Sequence, residues 1–234
     1  MTVYAIILSG GSGSRMGLQL PKQFLPLGDK PVIRYATDLF LSITEIDKVV
    51  VVSNPSFIKE TRELFTDPRI QFVMGGETRH DSFLQSLHGL EIKNEDIFFI
   101  HDAARPFVSR QEILNLLAET KESAITTLAQ KVTDTIVFAE NYKVKEIRNR
   151  DKKFLIKTPQ AIRGKELKYL LSLDKKQEPT DLCSWALSGG LETILLEANP
   201  YNLKITHKED LSIAEAFLPL FKKIDQQGIP EKLR

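Results

Sequence analysis

The sequence predicts an α/β fold: a mostly parallel central sheet with helices on both faces. Three observations carry this. Short apolar, β-branched runs recur along the chain. Stretches of helical period separate them, and a crossover helix between strands returns the chain in parallel. A glycine-rich loop, Ser9-Gly-Gly-Ser-Gly-Ser-Arg-Met-Gly17, follows the first run, at the carboxyl end of a strand where open sheets bind ligands.

The elements follow in order. Tyr4–Leu8 is a continuous apolar run and reads as a buried strand. Val32–Ser42 has helical period. Lys48–Ser53 encloses consecutive valines and reads as the second strand, followed by a helix over Phe57–Phe65. Ile70–Met74 is the third strand, with a helix over Asp81–Leu90. Ile97–His101 is the strongest strand, with a helix over Gln111–Glu122, and Ala124–Leu128 is the fifth.

After residue 130 the rhythm changes. Lys131 to Arg150 is β-prone but charged, with Asn141 as a turn residue, and reads as a hairpin with one polar face. An isolated hairpin is marginal in water. It is expected to pack on a second subunit; folding back on its own domain is the alternative. Residues 154–158 regain strand character and end in Thr158-Pro159-Gln160. Helices are expected near 164–174, 180–188 and 208–223, and short apolar runs lie near 193–197 and 203–205. No repeat or linker interrupts the chain, so residues 1–234 are expected to form one domain with an arm at about 131–153.

Composition bounds the function. With 234 residues, 42% hydrophobic and 27% charged, the chain can bury one α/β core. A formal net charge of +1 provides no global basic field, so nucleic acid is not an expected partner and any anion site must be local. Cys183 is the single cysteine; it permits no intrachain disulfide or thiolate cluster and reads as a buried structural thiol. No apolar run approaches the ~20 residues of a membrane span, and the first residues enter a strand with no basic, signal-like leader. A cytoplasmic protein without a membrane partner is expected.

Several residues could do chemistry. Gly10, Gly11 and Gly13 leave bare backbone that can wrap a phosphate and aim N–H groups at it. Arg15 and Lys22 add cations, which suits a triphosphate. The loop lacks the Gly-Lys-Ser/Thr of a Walker A motif, and Met16 stands at the third-glycine position of a dinucleotide fingerprint. The glycines alone fit a plain turn equally well. His101-Asp-Ala-Ala-Arg-Pro106 ends the strongest strand. Asp102 is placed to hold Mg²⁺, which takes one or two carboxylates plus substrate phosphate oxygens. Arg105 could grip a phosphate in bidentate fashion. The alternative is that Asp102 caps the turn and pairs with Arg105. His101 receives no catalytic role.

Gly75-Gly-Glu-Thr-Arg-His-Asp-Ser82 opens a helix. Its backbone at Gly76 and the Ser82 hydroxyl could read the edge of a nucleobase, while Thr78 as N-cap with Asp81 at N3 is a compatible structural role. In Asn202-Leu-Lys-Ile-Thr206, Lys204 and Thr206 alternate onto one side of an extended segment and could meet a phosphate; a solvated lysine on an edge strand is the alternative.

Taken in order, these pieces resemble one family over essentially the whole chain. They are Gly11-Ser-Gly-Ser-Arg-Met16 with Pro21-Lys-Gln-Phe-Leu25, Gly75-Gly-Glu-Thr-Arg79 with Ser82, His101-Asp-Ala-Ala-Arg-Pro106, Asp134-Thr135, Arg150 before Thr158-Pro-Gln160, Thr180-Asp181 and Asn202-Leu-Lys-Ile-Thr206. The family is that of the 2-C-methyl-D-erythritol 4-phosphate cytidylyltransferases; the ribitol-5-phosphate cytidylyltransferases are its close relatives. The resemblance implies a Rossmann-like nucleotidyltransferase fold with a protruding β-hairpin arm. It implies that CTP and a polyol phosphate react to give a CDP-alcohol and pyrophosphate, with Mg²⁺ as cofactor. In family terms Arg15, Lys22 and Lys204 are catalytic. Gly10, Gly11, Gly13, Ser14, Gly76, Ser82 and Asp102 bind the nucleotide, and Asp102 also holds the metal. Arg105, Thr135, Arg150 and Thr206 bind the acceptor phosphate, with Thr135 and Arg150 reaching the other subunit of a homodimer with shared sites.

The chain departs from the family pattern at Ser9, Glu77, the segment Lys152–Lys157 and the Leu-Cys-Ser-Trp stretch after Asp181. The four residues between Met16 and Pro21, and Ala103-Ala104 before Arg105, lean toward the erythritol-phosphate enzymes over the ribitol-phosphate enzymes. A catalytically silent nucleotide-binding module is the reading from another class; the joint presence of Arg15, Lys22, Asp102, Arg105 and Lys204 argues against it.

Overall fold

The computed structural model describes residues 1–11, 20–173 and 178–227. In chain order its first elements are β1 (Val3–Ser9), β2 (Pro26–Leu27), β3 (Lys30–Pro31), α1 (Val32–Ser42), β4 (Lys48–Ser53), α2 (Ile58–Glu63), β5 (Ile70–Met74), α3 (Arg79–Ser86), β6 (Ile97–Asp102) and α4 (Arg110–Ser123). There follow β7 (Ile125–Lys131), β8 (Ile136–Glu140), β9 (Lys143–Arg148), β10 (Phe154–Arg163), α5 (Gly164–Ser172), α6 (Leu182–Ser188), β11 (Ile194–Glu197) and α7 (Lys208–Gln227). Short 3₁₀ turns occupy Lys22–Phe24 and Pro55–Phe57.

Seven strands form one sheet in the order β11-β7-β10-β6-β1-β4-β5. β1 pairs in parallel with β4 and β6, β4 with β5, and β7 with β11. Side chains alternate between the two faces. Ala5, Ile7, Val49, Val51 and Phe99 pack with Ile33 and Phe40 of α1 and Ile113 and Leu116 of α4. Ile6, Val50, Val52 and Phe98 pack on the other face with Phe83 of α3, Leu167 of α5 and Trp185 of α6. Burial on both faces explains why these strands read as unbroken apolar runs. A third cluster joins Leu27, Tyr35, Phe107 and Ile205 to Leu218 and Phe221 of α7. No helix among the described residues is long and apolar enough to cross a membrane.

Several expectations change. The strand expected over 154–158 runs on to Arg163 as β10, antiparallel to both β6 and β7. It returns from the arm beside β7 without a crossover helix, so it enters the sheet in the opposite direction. Its register slips between Ile156 and Gln160, around Pro159, which has no N–H for the ladder. The small hairpin of β2 and β3, turning at Gly28 with φ +63, was not legible. Its strands are too short for periodicity to register. α7 continues through Pro219 to Gln227. Residues 203–205 form no strand; Ile205 N–H instead donates to Ala104 C=O at 2.8 Å.

The arm is the hairpin of β8 and β9, which among the described residues pair only with each other. It grows from the β7–β10 pair, where Val132 N–H donates to Lys153 C=O at 3.0 Å. Its apolar residues stand in solvent: Val144 is 61% and Ile147 73% exposed.

Candidate active site

A pocket of about 290 Å³ opens at the carboxyl ends of the strands. Three segments build it: Leu8–Gly11 at the end of β1, Gly76–Arg79 with Ser82 at the start of α3, and Asp102–Ala104 at the end of β6; Lys22, Gln23 and Lys204 close it from the flanks. Each segment continues a strand or precedes a helix, so the sheet fixes their spacing.

Asp102 forms the floor. Arg79 Nε lies 3.0 Å from its Oδ1 and Lys204 Nζ 2.6 Å from its Oδ2. Arg105 Nε stands 4.0 Å from Oδ2. Burial raises the carboxyl, but Arg79, Lys204 and Arg105 outweigh it and hold Asp102 well below the usual carboxylate range. Arg79 Nη2 and Arg105 Nε are buried and find no hydrogen-bond partner among the described residues. Buried, unsatisfied guanidinium donors are costly, and an anion entering the pocket could satisfy the Arg79 nitrogen.

The turn that carries Asp102 is clamped from beneath. Thr158 Oγ1 accepts from Asp102 N–H at 3.1 Å and lies 3.1 Å from His101 Nδ1. His101 Nε2 meets the Arg105 carbonyl at 3.0 Å. With Nε2 donating to that carbonyl, Nδ1 is left to accept from the Thr158 hydroxyl. Burial pushes His101 down to about 4, so it stays neutral at ordinary pH.

The same clamp reaches Lys204. Arg105 Nη1 donates to Asn202 C=O at 3.0 Å, and Asn202 Nδ2 to Thr158 C=O at 3.0 Å. Upstream, Glu112 closes the capping box of α4 with Ser109 and accepts from Asn199 N–H at 2.7 Å. The segment holding Lys204 is therefore tied to the core although it forms no regular element.

The α3 end behaves as expected. Thr78 Oγ1 accepts from Asp81 N–H at 3.0 Å as N-cap, and Ser82 is buried against the pocket. A Cβ on Gly76 would come 2.4 Å from Asp81 Cβ, so a side chain is excluded there by close approach, while one on Gly75 would come 2.9 Å from Ser82 Oγ and press on that hydroxyl.

Of the expected site residues, Gly10, Gly11, Lys22, Gly76, Ser82, Asp102 and Lys204 line the one pocket. Gly13, Ser14 and Arg15 lie outside the described residues. Arg105 is buried behind Asp102, not on the pocket wall. Thr206 lies beside Lys204, its hydroxyl donating to the Lys204 carbonyl at 3.2 Å. Thr135 and Arg150 are exposed at the base of the arm, where Arg150 Nη1 donates to the Thr133 carbonyl. They do not line this chain's pocket. Cys183, expected buried, is half-exposed in α6, with Gln160 Nε2 at 3.3 Å from its sulfur. Its place in the first turn of α6, beside Asp181, keeps it near the surface; burial of the thiol and the Asp181 charge push it up to about 11.

Sequence reasoning gave Arg79 no role, although it stands inside a quoted motif. Its partner Asp102 is 23 residues away, and only the sheet brings them together. Among the described residues no group of three or more His, Cys, Asp or Glu side chains could enclose a metal. Asp102 and Glu77 are the carboxylates that line the pocket, so a cation there would need further ligands from a bound molecule or solvent.

Comparison with known proteins is consistent over most of the chain. The family model described as 2-C-methyl-D-erythritol 4-phosphate cytidylyltransferase matches residues 3–219. An enzyme of that name from Leptospira borgpetersenii is 44% identical over 95% of this chain and 96% of its own. A ribitol-5-phosphate cytidylyltransferase from Lactiplantibacillus plantarum is 32% identical over 92% of this chain and 98% of its own. The crystal structure of the Francisella tularensis 2-C-methyl-D-erythritol 4-phosphate cytidylyltransferase superposes with a TM-score of 0.76 at 30% identity, covering 92% of this chain and 99% of that one. The 4-diphosphocytidyl-2C-methyl-D-erythritol synthase of Anaerococcus prevotii gives 0.79 at 26% identity, over 93% and 96%. A mostly parallel sheet, a cationic pocket at its carboxyl edge and these matches lead to one assignment: the chain belongs to the 2-C-methyl-D-erythritol 4-phosphate cytidylyltransferase family.

Proposed function

We propose that this chain transfers the cytidylyl group of CTP to 2-C-methyl-D-erythritol 4-phosphate in the cytoplasm. A phosphate oxygen of the acceptor attacks the α-phosphorus of CTP. The bond from that phosphorus to the bridging oxygen of the β-phosphate breaks, and pyrophosphate leaves. The observation that carries the reading is the convergence of Lys22, Arg79 and Lys204 with Asp102 on one pocket.

The protein's part is positioning and charge stabilisation, with no covalent intermediate. The backbone at Gly10 and Gly11, with Gly13, Ser14 and Arg15 beyond, cradles the triphosphate. Lys22 faces the charge that develops on the transferring phosphoryl group. Gly76 and Ser82 contact cytosine. Lys204, with Thr206 beside it and Arg105 behind, attends the acceptor phosphate. Mg²⁺, held by Asp102 and phosphate oxygens, would neutralise part of the triphosphate charge.

The working unit in this reading is a homodimer. Among the described residues the arm pairs only with itself and exposes Val144 and Ile147, and a two-stranded hairpin is marginal alone. Thr135 and Arg150, which do not line this chain's own pocket, would complete the acceptor side of the partner's.

Ribitol 5-phosphate is the second candidate acceptor, favoured by the 32% identical relative. A pyrophosphate-release assay decides: four nucleoside triphosphates are crossed with both polyol phosphates. Turnover with CTP and the methylerythritol phosphate is expected. Preference for the ribitol phosphate would reassign the acceptor, and no turnover with any pair would leave a silent nucleotide-binding module.

A further inference from the structure

A glycine loop binds phosphate only if its N–H groups, not its carbonyls, meet the anion. In a planar trans peptide the C=O of one residue and the N–H of the next point in opposite directions. Where the carbonyls go therefore decides the polarity of the loop. Glycine rotates freely, so an unrestrained loop could present either edge.

Here three successive carbonyls are each taken by a side-chain amide. Gln23 Nε2 donates to Ser9 C=O at 2.6 Å and to Gly11 C=O at 3.1 Å. Asn54 Nδ2 donates to Gly10 C=O at 3.3 Å. Both amide orientations are determined by their surroundings. Two carbonyl oxygens around one Gln23 atom require that atom to be the nitrogen. Asn54 Oδ1 accepts from Ser56 N–H at 2.9 Å as the cap of the Pro55–Phe57 turn, which leaves its nitrogen facing Gly10. Gln23 is only 2% exposed, and it sits in the same 3₁₀ turn as Lys22. One turn thus places a cation at the pocket and an amide against the loop.

We infer that Gln23 and Asn54 are positioning residues for phosphate: by holding the carbonyls of Ser9 and Gly10 they turn the N–H groups of Gly10 and Gly11 the opposite way and keep them available to the anion. The inference rests on reading the pocket as a triphosphate site.

Two neutral variants of the full chain test it. Gln23→Met keeps length and removes both donated bonds. Asn54→Ser keeps a hydroxyl acceptor for the turn but is too short to reach Gly10. Pyrophosphate affinity is measured by calorimetry, with KM for CTP and for the polyol phosphate and the thermal midpoint alongside. Gln23→Met is expected to weaken pyrophosphate binding about tenfold, with a parallel rise in KM for CTP. Asn54→Ser is expected to weaken both about threefold. KM for the polyol phosphate stays near wild type. Unchanged pyrophosphate affinity in the folded variants would overturn the inference, and so would equal shifts in both KM values, which would mark general loosening. If Gln23→Met does not fold, Asn54→Ser decides alone. Wild-type protein that binds no pyrophosphate would remove the triphosphate reading itself, and this inference with it.

Discussion

Lys204 Nζ lies 2.6 Å from Asp102 Oδ2, although 102 positions of chain separate the two residues. With Arg79 on the other oxygen, both faces of the carboxylate are engaged by cations. A divalent cation bound at Asp102, as proposed, would share or replace one of them. Asp102→Asn is expected to raise the Mg²⁺ concentration for half-maximal activity by about tenfold or more, since a neutral amide is a poor ligand for a hard cation. Wild-type enzyme in excess chelator should be inactive. Full activity there would remove the metal assignment.

Lys22→Ala should lose far more turnover than CTP affinity. Removing a donor aimed at developing charge commonly costs on the order of 10²–10³ in rate. The check is kcat from steady-state assays beside a direct nucleotide titration. Normal kcat with weakened CTP binding would make Lys22 an ordinary ground-state ligand.

Arg150→Ala should raise KM for the polyol phosphate and leave CTP binding nearly intact, because Arg150 stands on the arm and not in its own chain's pocket. Mixed with Lys22→Ala subunits, it should regain activity, since a mixed dimer would place an intact Lys22 and an intact Arg150 in one site. No regain on mixing, or a fully active monomer, contradicts the shared site.

His101 should make the fold acid-sensitive. Burial depresses it from 6.5 to about 4, so between these values the unfolded chain binds the proton and the folded chain does not. Stability is then lost as pH falls through that window and regained as it rises. The loss attributable to this group would reach about 3 kcal/mol. Urea unfolding of wild type and His101→Gln across the window measures it. The variant should be less stable at neutral pH and show a shallower pH slope. Identical slopes would show that His101 does not supply the effect.

The alternation of buried runs and helical stretches was readable because both faces of the sheet are covered, so strands such as Lys48–Ser53 carry little but apolar side chains. The motifs were readable for a related reason. Gly10 and Gly76 sit just beyond β1 and β5 and Asp102 ends β6, at boundaries where local composition changes. The cap at Thr78 is likewise local, spanning only three residues to Asp81.

What lay beyond the sequence depends on distance along the chain. Arg79 and Lys204 find Asp102 across 23 and 102 positions, and Gln160 enters the sheet antiparallel because the arm returns without a crossover. Residue types and their order determined the fold class, the family and the list of chemically competent side chains, since these follow from short-range periodicity and motif spacing. Only the tertiary structure decided which of them meet. It seated Arg105 behind Asp102 and made Gln23 and Asn54 holders of a loop, because a hydrogen bond or ion pair depends on positions in space that packing alone sets.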